Sequence, residues 1–343
     1  MGIISDNKQS ATHIPYLDGW RGIAIIMVLL AHFTSLGEKF NFLGEFGVTV
    51  FFVLSGFLMS RILFIQKVPL STFFRRRIAR ILPVLWLYLT VVFLGGWIFF
   101  NEFHLKELLS SIIFLRTYYP EEISIAKSYV PIGHIWSLNV EEHCYLLLAL
   151  LSVLAIKIGE TFVRFALGVL ALICVMFFVF YKFYPPEAQT VFGWRTEVAA
   201  LPLLISCSVF LWLTKYPIKL PSFLPLLSFL GAFGIMAFST SVFLSYIGIS
   251  VFLGISINTL HLAPAWTLVL LSNAVIRWFG VCSYSIYLWQ QIFFFCKRYT
   301  DNWPYYDLFS IASILLIASC SFYFFEKPVR SRLTHKPLKA NTI

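Results

Sequence analysis

The chain has 343 residues, of which 59% are hydrophobic and only 12% charged, with a formal net charge of +10. A soluble domain carries about 25% charged residues, and several apolar runs here approach the roughly 20 residues that span a bilayer. An ordinary soluble enzyme is therefore excluded, and the positive charge requires no nucleic acid, because basic cytoplasmic loops are expected of membrane proteins.

In chain order, a short polar arm over 1–16 precedes one membrane domain over 17–330 and a basic tail over 331–343. The first apolar run follows Asp18-Gly19-Trp20-Arg21 without a small-residue cleavage pattern, so it is expected to stay as a span rather than leave as a signal peptide. Apolar periodicity predicts an all-α protein of about ten transmembrane helices. They lie near 20–36, 45–65, 81–100, 143–158, 164–184, 198–214, 224–240, 242–262, 279–297 and 306–325. Leu108–Leu115 reads as a half-helix or re-entrant piece, and Pro264 and Asn273 interrupt the long apolar stretch over 240–280.

Charge sets the expected sidedness. The 61–80 connection holds Arg61, Lys67, Arg75, Arg76, Arg77 and Arg80 with no acid, and the tail holds Lys327, Arg330, Arg332, Lys336 and Lys339 against Glu326. Both are expected to be cytoplasmic, as are both termini. The 101–142 connection carries Glu102, Glu107, Glu121, Glu122, Glu141 and Glu142 against Lys106, Arg116 and Lys127, and is expected outside. The expected location is the inner (plasma) membrane, crossed many times.

Ionisable residues inside such spans are functional candidates by default, because their transfer to hydrocarbon is costly. His32 lies in the first span, and Arg21 precedes it by eleven residues. Eleven helical steps return almost to the same face, about 16 Å along the axis. Both are therefore expected to line a polar interior. Arg77 and Arg80 are three apart, so on a helix they share a face and offer two guanidinium forks suited to phosphate. The same residues also read as an ordinary topogenic cluster. Gly133–Tyr145 gathers His134, Ser137, Glu141, Glu142, His143 and Tyr145 at a membrane border, where Glu141 can orient an imidazole or bind sugar hydroxyls. Thr49, Ser55 and Gly56 read as close-packing residues. Ser283–Gln291 supplies hydroxyls and amides to a late helix.

Several chemistries lack their motif. A Gly-x-Ser-x-Gly elbow, a P-loop and a His-Glu-x-x-His pair are absent, and the six cysteines have no zinc-type spacing and read as small hydrophobes. No metal and no permanently bound cofactor are expected.

Six separated segments together resemble the acyltransferase-3 family of polytopic membrane O-acyltransferases, over almost the whole chain. They are Leu17–Ala24 with His32, Phe51–Phe57, Arg77–Pro83, His134–Glu142, Ser283–Trp289 and Phe325–Arg330. The resemblance implies ten membrane helices. It also implies transfer of an acyl group, usually acetyl, from cytoplasmic acyl-CoA as co-substrate to a hydroxyl of an extracytoplasmic acceptor, commonly a cell-surface glycan. It places the family's first-helix Arg and His on Arg21 and His32, its Arg-x-x-Arg on Arg77 and Arg80, and the Glu of its Ser-x-x-x-Glu segment on Glu141. On this reading Arg77 and Arg80 hold CoA phosphates. His32 is either the general base or the nucleophile, and Arg21 either stabilises charge on the carbonyl oxygen or positions substrate. His134, Ser137 and Tyr145 are acceptor-site candidates. The chain departs from the pattern at Gln290, where many members have a His. The alternative is a transporter or flippase using the same polar interior, whose mark, paired half-repeats with broken helices, is not found in the sequence.

Overall fold

The computed structural model describes residues 14–40, 42–121, 123–184, 191–300 and 303–334. Residues 1–13 of the expected arm, 335–343 of the expected tail, and Glu122 lie outside these. The described residues form helices and no strand. In chain order the principal helices are α1 (Pro15–Phe33), α2 (Leu43–Ser60), α3 (Leu70–Phe100), α4 (Leu105–Ile112), α5 (Trp136–Ile158), α6 (Glu160–Phe183) and α7 (Leu201–Lys215). There follow α8 (Leu224–Phe238), α9 (Val242–Thr259), α10 (Ala265–Leu271), α11 (Ala274–Val281), α12 (Ser283–Cys296), α13 (Tyr306–Cys320) and α14 (Lys327–Thr334).

Eight of the described helices are long and apolar enough to cross a membrane, so this is a multi-pass membrane protein. The sequence predicts about ten, and the two further spans fall on α8 and α12, which have only 15 and 14 residues. At 1.5 Å per residue each covers about 21–23 Å, short of a hydrocarbon core of about 30 Å. Expected span 279–297 is in fact divided, because the α-helix breaks at Cys282 between α11 and α12.

The basic 61–80 connection is mostly not a loop. A π-helical turn, Arg61–Ile65, continues α2, and α3 begins at Leu70, so Arg75–Arg80 occupy its first turns. With 31 residues α3 is about 46 Å long, long enough to carry its basic start past the apolar core of the bundle.

The acid-rich 101–135 stretch folds back on the bundle instead of extending into solvent. Val130, Ile132 and Ile135 are buried in the main core, and Tyr88 of α3 donates to the Pro131 carbonyl. Glu107 and Arg116 are 0% and 1% exposed. The Arg116 guanidinium donates to the Glu107 carboxylate (Nε 3.1 Å) and to the Ile123 carbonyl (2.9 Å), while the Ser128 hydroxyl donates to the same carboxylate at 2.7 Å. Such an ion pair is tolerated in a low-dielectric interior because its hydrogen-bonding capacity is met. Nearby, burial and the hydrogen bond to Glu197 push the Tyr118 phenol above its usual range.

Glycines set how α1 packs. A Cβ on Gly19 would lie 1.8 Å from the Leu271 carbonyl oxygen, and one on Gly22 2.0 Å from that of Ile276. Only glycine allows this backbone approach. From the opposite side, a Cβ on Gly280 would meet the Asp18 carbonyl oxygen at 1.8 Å. Trp20 donates its indole N–H to the Val50 carbonyl at 3.1 Å, which fixes the rotation of α1 against α2. Arg21 is thereby turned toward the bundle interior. All six cysteines are free thiols.

Candidate active site

A partly open cavity with about 770 Å³ of empty space lies between α1, α2, α3, α5 and α12. Its wall includes the guanidiniums of Arg21, Arg77 and Arg80 and one carboxylate, Glu141, together with Ser55, Ser137, Tyr145, Tyr284 and Tyr287. Six residues that the sequence singles out, Arg21, Arg77, Arg80, Ser137, Glu141 and Tyr145, therefore converge on one space.

Helix geometry explains the convergence. Arg77 and Arg80 are i,i+3 on α3, and Ser137, Glu141 and Tyr145 recur every four residues along one face of α5. Arg77 bridges the two helices. Its Nε donates to Glu142 at 2.9 Å, its Nη2 to Glu141 at 3.2 Å, and its guanidinium carbon sits 3.3 Å from the Tyr145 ring centroid. The remaining oxygen of Glu141 accepts a hydrogen bond of 2.6 Å from Ser55. Two of the five N–H groups of Arg77 are thus committed to protein carboxylates. Arg21 and Arg80 differ: among the described residues neither makes a hydrogen bond or ion pair with a protein group. Glu326 lies behind Arg80 and is 2% exposed, held by a 2.9 Å hydrogen bond from Ser285 and by Arg330 at 3.8 Å.

The wall continues through α12. The Tyr284 hydroxyl donates to the Ile81 carbonyl at 2.9 Å, two residues before Pro83. Tyr287 donates to the His134 carbonyl at 3.0 Å, and its hydroxyl lies 2.8 Å from that of Ser137. His134 is 6% exposed, its ring packed edge-on against Tyr88 and Tyr287 at centroid distances of 5.4 and 5.2 Å. Neither of its ring nitrogens has a hydrogen-bond partner among the described residues, nor does the indole N–H of Trp289, whose ring also packs on Tyr88. Leaving such groups unpaired costs about 1–3 kcal/mol each; His134 and Trp289 are buried and are not among the residues of the cavity wall.

His32 does not line the cavity. It stands in the last turn of α1, where its ring stacks on Phe294 at 4.0 Å and its Nδ1 lies 2.7 Å from Gln290 Oε1. Lys297 donates to the His32 backbone carbonyl at 3.3 Å. The sequence places Arg21 and His32 on one stripe of one polar interior; the structure puts them at two stations along α1. The sequence assigns Ser55 to close packing and Gln290 to a polar late helix; in the structure Gly56 makes the close contact, with a Cβ there meeting the Leu203 carbonyl oxygen at 2.3 Å, while Ser55 meets Glu141 and Gln290 meets His32. The one available signal for both was a polar side chain within an apolar run.

Residues 14–325 match the family described as "Acyltransferase domain". Among curated proteins the chain is similar to the peptidoglycan O-acetyltransferase OatA of Listeria monocytogenes, 26% identical over 94% of this chain and 57% of that protein. It is also similar to the O-acetyltransferase OatA of Staphylococcus aureus, 25% identical over 95% of this chain and 59% of that protein. The chain thus spans under three-fifths of the length of these relatives. No solved structure matches it. With a match running from the first turn of α1 to the π-helical turn after α13, the chain belongs to this acyltransferase family.

Proposed function

We propose that the protein is a membrane O-acetyltransferase that moves an acetyl group from cytoplasmic acyl-CoA to a hydroxyl of an extracytoplasmic cell-envelope glycan. The acceptor class follows the name of the Listeria relative. The observation that carries the reading is the pair of guanidiniums, Arg21 and Arg80, that line the cavity and make no hydrogen bond or ion pair with a protein group among the described residues. Guanidinium forks suit phosphate oxygens, and CoA carries a diphosphate and a further phosphate. Arg77 has a different part: it holds Glu141 and Glu142 in place.

Distance separates the roles of Arg21 and His32. An oxyanion donor must lie about 3 Å from the reacting oxygen, whereas eleven residues of α1 separate these two side chains by about 16 Å. Both cannot act on one carbonyl, so Arg21 belongs to the donor's phosphate end and His32 to the reacting end, with the pantetheine arm extended between them. There His32 takes the proton from the acceptor hydroxyl, and the oxygen attacks the thioester carbonyl carbon. The carbon–sulfur bond then breaks, and the CoA thiolate leaves and is protonated. Ser137 and Tyr145, which line the cavity, are the candidate hydroxyls for holding the acceptor.

The test is turnover of radiolabelled acetyl-CoA by purified protein with a soluble glycan acceptor. His32→Gln keeps bulk and hydrogen bonding but cannot accept a proton at neutral pH. It should abolish transfer, with acetyl-CoA binding intact. Near-normal turnover in this variant would falsify the role of His32 as base.

A further inference from the structure

We infer that Gln290 is a positioning residue that fixes the tautomer of His32, so that Nδ1 carries the ring proton and Nε2 presents the bare lone pair, and that Gly44 keeps the approach to Nε2 open. The inference rests on the proposed role of His32 and adds which nitrogen acts and what decides it.

Gln290 and Phe294 are four apart on α12 and so project from one face. Phe294 covers the imidazole face, with rings inclined by 22°, and Gln290 meets its edge. A side-chain amide oxygen only accepts hydrogen bonds. At 2.7 Å from Gln290 Oε1, the imidazole Nδ1 must therefore be the donor. The amide cannot simply turn over, because its other end is engaged: Gln290 Nε2 points to Gln291 Oε1 at 3.4 Å, and the Gln290 side chain is 0% exposed. An imidazole whose Nδ1 holds the proton is, when neutral, unprotonated at Nε2. No protein group among the described residues hydrogen-bonds Nε2. Its neighbour is the start of α2, where a Cβ built on Gly44 would lie 3.7 Å from it. That is ordinary contact for a methyl group, but a longer side chain at this position would extend over the nitrogen. The tie from Lys297 to the His32 carbonyl, with Lys297 itself paired to Asp307 at 2.8 Å, holds the ends of α1 and α12 in this register.

The experiment records ¹⁵N spectra of the full-length protein labelled at histidine and purified in lipid nanodiscs. The His32 signals are identified by their loss in His32→Gln. The expected spectrum shows a protonated Nδ1 and a bare Nε2. Gln290→Leu, which removes the acceptor, should move His32 toward the Nε2–H tautomer and lower kcat at least tenfold with KM for acetyl-CoA unchanged. Gln290→Glu, which keeps an acceptor oxygen, should retain the Nδ1–H form. Gly44→Leu should lower kcat with the tautomer unaltered. A wild-type ring protonated at Nε2, or an unchanged tautomer in Gln290→Leu, overturns the assignment. A locked Nδ1–H tautomer together with an active His32→Gln variant would instead leave the lock standing and remove the base.

Discussion

Two buried clusters of arginine and glutamate lie in the same bundle and differ in one respect. In the 101–135 segment, Arg116 and Glu107 are both below 2% exposure and satisfy each other, with Ser128, His104 and the Ile123 carbonyl as further partners. In the cavity, Arg77 is similarly satisfied by Glu141 and Glu142, yet Arg21 and Arg80 stand in the wall beside it with no protein partner among the described residues. The first cluster is closed and needs nothing further. The second leaves two guanidiniums without a hydrogen-bond acceptor among the described residues. Composition does not separate them, since both are Arg and Glu in apolar surroundings. What separates them is whether each guanidinium has an acceptor.

The comparison yields its largest expected effect at Glu107. Glu107→Ala strands the Arg116 charge in the interior, which should cost about 3–5 kcal/mol of stability, read as a lower unfolding midpoint in detergent. Replacing Glu107 and Arg116 together by leucine should recover most of that loss, because an apolar pair has no stranded charge. A Glu107→Ala protein as stable as wild type would break the distinction.

Arg80→Ala should show the opposite pattern. No protein group loses a hydrogen bond, and the buried Glu326 that loses a nearby cation keeps Ser285 and Arg330, so the unfolding midpoint should fall by less than in Glu107→Ala. Acetyl-CoA binding should weaken by about 1.5–3 kcal/mol, roughly ten- to a hundredfold, as for one charge-assisted hydrogen-bonding group. Arg80→Lys should recover part of this, since a point charge lacks the fork. Calorimetric titration of acetyl-CoA decides it, and unchanged affinity in the alanine variant would return Arg80 to a topogenic role. The smallest effect is expected at Ser55. Ser55→Ala removes one of the hydrogen bonds on Glu141 while the bond from Arg77 remains, so a loss of about 1 kcal/mol is expected, measurable against wild type in the same unfolding assay.

The individual polar positions of the site were legible in the sequence, because a charged side chain in an apolar run announces itself. Arg21 stands out this way, while Arg77 and Arg80 stand out by their spacing of three and Glu141 by its place in a polar cluster at a membrane border. Their pairing was not legible. Arg77 meets Glu142 across 65 residues, Ser55 meets Glu141 across 86, and His32 meets Gln290 across 258. Such contacts depend on which helices become neighbours, and local periodicity carries no information about that. For the same reason the tie of Arg77 to Glu141 and Glu142, which Arg80 lacks, is not readable from their shared helix face. Helix ends were blurred where polar residues continue a helix, so the basic residues before Ile81 read as a connection although they form the start of α3. Composition correctly placed the protein in a membrane, and the short α8 and the divided α11–α12 are where hydropathy and helix length part company.

The glycine contacts of α1 have a consequence for substrate selection. With Gly19 and Gly22 seated against the Leu271 and Ile276 carbonyl oxygens, α1 cannot slide along its axis without backbone collision. The gap between the guanidinium of Arg21 and the imidazole of His32 is therefore set by the rise of one immobilised rod rather than by a loop. On the proposed assignment of Arg21 to the phosphate end and His32 to the reacting end, this length is a fixed gauge for an acyl donor. A methyl group added at Gly22 would displace both ends of the gauge in concert, a lesion at two stations that alters no polar atom.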